Sequence, residues 1–79
     1  MFIKVKAIKE ERIYEIRKIK EKIINTDTIV TIKCITENQK YKFEGKETDV
    51  TEVEFINGKI LGIIGKVDVD ENSKLIITE

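Results

Sequence analysis

Histidine, proline and tryptophan are absent from the 79 residues, and Cys34 is the only cysteine. Each absence removes a class of chemistry. One cysteine cannot form an internal disulfide. Without histidine, a single thiolate cannot assemble a Cys/His zinc site. Nor can a Ser-His-Asp or Cys-His pair form, so neither Cys34 nor Ser73 has an imidazole to activate it. Cys34 is therefore expected to be an inert, buried thiol. No apolar run approaches the roughly 20 residues of a membrane span. The alternating start, Met1 to Lys6, lacks the apolar stretch of a secretory signal. With a lone thiol, these features point to the reducing cytoplasm and to no membrane association.

Leucine and alanine are also scarce, at two residues and one. Isoleucine replaces them: there are 16, and Ile, Val and Thr together make up 29 residues. Side chains branched at Cβ favour strands over helices. A chain of this length forms a single domain, 1–79, with one small core.

Most of the chain alternates apolar and polar residues with period two. Residues 2–8, 28–36, 41–43, 51–55, 59–69 and 74–78 read as strands. Asn57-Gly58 signals a two-residue hairpin turn of type I′. A bend in the long strand is expected at Gly62 or Gly65. Polar turns are expected at 37–40 and 70–73. Residues 10–24 break the rule. Ile13, Ile16, Ile19 and Ile23 recur at helical spacing, with Glu10 and Glu11 in the first turn and Lys20 and Lys22 in the last. The expected fold is thus α+β and β-rich, in the order β-α-β-β-β-β-β. One N-terminal helix packs on a twisted antiparallel sheet or a partly closed small barrel.

Several strands carry adjacent apolar residues, such as Ile63-Ile64 and Leu75-Ile76-Ile77. Neighbours on a strand point to opposite faces, so one helix cannot cover both rows. Sheet closure or a second subunit must complete the core, and a homo-oligomer is expected.

The net charge is zero, yet residues 1–22 carry +4 and residues 37–79 carry −4. Two charged surfaces stand out as partner-binding candidates. One is acidic: Glu44, Glu47, Asp49, Glu52 and Glu54. The other is basic: Arg12, Arg17 and Lys20. Tyr14, Tyr41 and Arg17 are candidate walls of a ligand pocket. Asp68-Val69-Asp70-Glu71-Asn72 resembles the start of a calcium loop. Ser73 replaces the glycine that such a loop needs at its sharp turn, so a polar turn is expected. No metal, cofactor or catalytic residue is expected.

These features imply a small non-enzymatic binding module. By analogy of size and composition, it would act like a phage or plasmid accessory protein, an inhibitor that binds a host protein or sequesters a small ligand. The alternative is a small barrel that binds single-stranded nucleic acid. With two arginines and few aromatics for stacking, the sequence favours that class less.

Overall fold

The computed structural model describes residues 1–35, 40–69, 71 and 75–78. The turns expected at 37–40 and 70–73 fall largely outside the described residues, as does most of the acidic segment Asp70 to Ser73.

Residues 10–24 are not helical, and no α-helix occurs among the described residues. Strands β1 (Phe2–Arg12) and β2 (Glu15–Asn25) instead form one long antiparallel hairpin. Its two-residue turn is Ile13-Tyr14, with φ of +50° and +61°. The helical spacing of isoleucines was a coincidence of register. Ile16 is buried and Ile19 half-buried, while Ile13 is 84% and Ile23 64% exposed. Isoleucine is a mediocre helix former, and pairing with the strongly β-prone β1 satisfies the backbone of both segments. The fold is therefore all-β rather than α+β.

A short 3₁₀ turn, Thr26–Thr28, follows β2. It is held by the Asn25 side chain, which accepts from Asp27 N–H at 3.1 Å. The terminal ammonium of Met1 lies 2.9 Å from Asp27. Then come β3 (Ile29–Cys34), β4 (Tyr41–Phe43), β5 (Lys46–Thr48), β6 (Val50–Phe55), β7 (Ile60–Ile64), β8 (Lys66–Val69) and β9 (Leu75–Thr78). Seven strands form one sheet in the order β3-β6-β7-β1-β2-β4-β5, and β8-β9 form a second. The large sheet is mixed, because β2 and β4 run parallel at Glu15↔Lys42 and Ile16↔Phe43. Its ladder is open, ending on β3 and β5, so the expectation of a purely antiparallel sheet or a barrel is also corrected.

Asn57-Gly58 does mark a hairpin, but its loop has three residues. Phe55 pairs with Lys59 at 2.9 Å, and Gly58 N–H donates to the Phe55 carbonyl at 2.8 Å. Gly58, at φ +84°, supplies the left-handed residue that ends such a loop.

Both faces of the large sheet carry apolar side chains, as the adjacent isoleucines require. The inner face bears Val5, Ala7, Val53, Leu61 and Ile63, and β8-β9 packs over it through Val67, Leu75 and Ile77. The outer face bears a smaller cluster of Ile16, Tyr41 and Val50, packed with Ile8, Phe43 and Ile64. Each fully buried Ile or Val contributes roughly 1.5–3 kcal/mol. Much of the second apolar row is thus covered within one chain, although Ile76 stays about half exposed.

The chain passes from the large sheet to the small one at Gly65, where φ is +107°. Thr51 secures this bend. Its buried hydroxyl donates to the Gly65 carbonyl at 2.9 Å and accepts from Val67 N–H at 3.2 Å. Gly65 N–H in turn donates to the Asp49 carbonyl at 2.7 Å. The sheet thereby changes direction without orphaning a buried backbone group.

Candidate functional site

Strand pairing fixes where the basic residues of β2 point. Paired residues on antiparallel strands share a face. Lys20 lies opposite Ala7, and Lys22 opposite Val5. Both partners are inner-face core residues, with Ala7 fully buried. Two lysines therefore occupy positions where the alternation of the core would place apolar residues. No ion pair joins Lys20 or Lys22 to a carboxylate among the described residues.

These lysines line a groove of about 500 Å³ that reaches from β2 to the loop between β6 and β7. Its far wall includes Phe55, Ile56, Lys59 and Ile60. Ile56 is 78% and Ile60 59% exposed, a large apolar area to leave in water. Lys59 is a third lysine with no ion-pair partner among the described residues. The loop is held in place from behind, since Ile56 N–H donates to the Thr28 carbonyl at 2.8 Å. The groove thus joins unneutralised cations to exposed branched aliphatics, a surface suited to an anionic partner with apolar parts.

Of the basic candidates, Lys20 alone lines this groove. Arg12 ends β1 beside the hairpin turn. Arg17 falls in the bulge between Ile16 and Lys18 and lies 4.0 Å from Glu15. The three basic candidates therefore do not line one cavity.

The acidic candidates are not one surface either. Glu44 forms the β4–β5 turn with Gly45, and Glu47 is 3.3 Å from Lys40. Glu52 and Glu54 are half-buried on β6, opposite Lys33 and Thr31. Thr31 donates to Glu54 at 3.1 Å. Asp49 alone links β5 to β6 and lines a depression with Glu47, whereas Glu52 lines a separate hollow beside Tyr41.

Two of the three pocket candidates touch each other. Tyr14 and Tyr41 meet edge to face, with ring centroids 5.4 Å apart. Burial raises the Tyr41 pKa above its ordinary value. The negative charge of the nearby Glu11 carboxylate raises it further. Tyr41 and Glu11 line a hollow of about 290 Å³ with Ile8 and Val50, but Arg17 lines a different depression with Lys9 and Phe43. Cys34 is half-buried on β3 rather than fully enclosed. No group of three or more metal-binding side chains occurs among the described residues. No helix among them is long and apolar enough to cross a membrane.

None of Lys22, Lys59, Ile56 and Ile60 is among the candidate site residues: Lys22 stands out in the sequence only as a charge in the last turn of the expected helix, and Ile60 only as a strand residue. A signal was present, because Lys18, Lys20 and Lys22 alternate with Ile19, Glu21 and Ile23 at period two. Read as a strand, that run places three lysines on one face.

Comparison with protein-family models, with characterised proteins and with solved structures finds no match to this chain.

Proposed function

We propose that this protein is a non-enzymatic binding module that holds an anionic partner in the groove between β2 and the β6–β7 loop. One observation carries the reading: Lys20 and Lys22, without an ion-pair partner among the described residues, stand in register with the buried core residues Ala7 and Val5. Both lysines are exposed, and as apolar residues they would extend the core-facing row of the sheet. A partner that neutralises them and covers Ile56 and Ile60 gains on both counts.

The test is a titration followed by amide chemical shifts, with an acidic peptide and an oligothymidine as separate probes. Shifts should centre on residues 20–25 and 55–61. The triple variant Lys20→Gln, Lys22→Gln, Lys59→Gln should bind at least about tenfold more weakly, from three contacts of up to ~1 kcal/mol each. Shifts elsewhere, or an unchanged affinity in the variant, would overturn the reading.

Single-stranded nucleic acid is the second reading, supported by the half-buried Phe55, an aromatic ring in the same groove as the three lysines. It requires a steep fall in affinity with salt, governed by the number of phosphates neutralised.

A further inference from the structure

The groove has a second property that its charge does not explain. On its outer side, β2 pairs with β4 only at Glu15 and Ile16. From Arg17 to Asn25 no strand among the described residues pairs with that edge. Every second residue of such an edge directs its N–H and C=O outward, unpaired. The groove runs along this edge. Lys22 and Ile24 share the inner face and Ile23 points to the other, yet all three line it. A cavity that touches both faces of one strand lies beside the strand, not above it.

From this geometry we propose that the ligand is an extended peptide segment of a protein partner, which adds to β2 as a further strand. Its side chains alternate between carboxylates and branched aliphatics. The proposal rests on the groove being the binding site and specifies what enters it. Carboxylates on the inner side meet Lys20 and Lys22, with Lys59 across the groove. Apolar residues on the other side cover Ile23. Backbone hydrogen bonds supply affinity, and the alternation fixes register.

The lysines also decide against a second copy of β2 as the added strand. Pairing two such edges sets lysine against lysine, and like charges directly opposite destabilise a sheet. One feature thus blocks self-pairing and selects an acidic partner strand.

The experiment uses the whole protein and a short synthetic peptide alternating glutamate and valine. Two analogues are N-methylated, one on every glutamate and the other on every valine. An added strand turns only alternate N–H groups toward its neighbour. One analogue should therefore bind about tenfold or more weakly, and the other close to the parent. A peptide of lysine and valine should not bind. Equal affinities for the two methylated analogues overturn strand addition but leave the groove as the site. Oligothymidine binding the groove more tightly than the acidic peptide overturns the peptide class alone. No shift at residues 20–25 or 55–61 with any probe overturns both this proposal and the groove reading.

Discussion

Thr51 shows how much can depend on one hydroxyl. It is fully buried, and it bonds the two backbone groups left over where the chain turns at Gly65. Valine has nearly the same shape but cannot bond either group. Each buried polar group left unsatisfied costs about 1–3 kcal/mol. Thr51→Val is expected to lower stability by about 2–4 kcal/mol in urea denaturation. Thr51→Ser keeps the hydroxyl and should lose only about 1 kcal/mol, for the missing methyl. A Thr51→Val variant as stable as the parent, with Thr51→Ser the more damaged of the two, would mean that the methyl, not the hydroxyl, matters. In the sequence Thr51 is one of several threonines in alternating strands. Its role depends on a contact with residues 14 and 16 positions further on, which no local pattern announces.

At the scale of the element, the β1–β2 hairpin departs most from what its residues suggest. A two-residue turn with positive φ at both positions favours Asn-Gly, because branched side chains clash in that conformation. Here Ile13 and Tyr14 occupy it. The turn is held by what surrounds it. Tyr14 packs its ring on Tyr41, and its carbonyl accepts from Lys42 N–H at 2.9 Å. Ile13 contacts little, so its strain has no offset in packing. Ile13→Asn should stabilise the protein by about 1 kcal/mol, read as a higher denaturation midpoint with unchanged slope. A lower midpoint would show that Ile13 makes contacts beyond those seen. The misreading of residues 10–24 has the same origin. A turn without glycine or asparagine hides a hairpin, and four isoleucines then look like one face of a helix. Elsewhere the local chemistry was legible. Tyr41 and Phe43 share a face, and the chain does bend at Gly65, as an isolated glycine between apolar runs suggests.

For the molecule as a whole, the need to cover two apolar faces was readable from Ile63-Ile64 and its counterparts. The means was not. A small β8–β9 sheet shelters the inner face, and neighbouring strands curl about Tyr41 on the outer one. Half of the groove was likewise visible, as Lys20, and half depended on bringing residues 20–25 near residues 55–61. Sequence separation of that size is resolved only by the sheet order. The open edge of β2 is then the exposed boundary of the molecule, and Lys20 and Lys22 guard it. Charged residues on edge strands suppress pairing between copies. Replacing both with isoleucine, Lys20→Ile with Lys22→Ile, extends the apolar inner face to that edge. The folded domain should not lose stability, because two positions beside the core gain apolar area. Self-association should increase: light scattering should give a mass that rises with concentration above that of the parent protein at the same concentration. A variant whose mass matches the parent's throughout the series would mean that the lysines do not protect this edge. Their place opposite Ala7 and Val5 would then have to be explained by ligand binding alone.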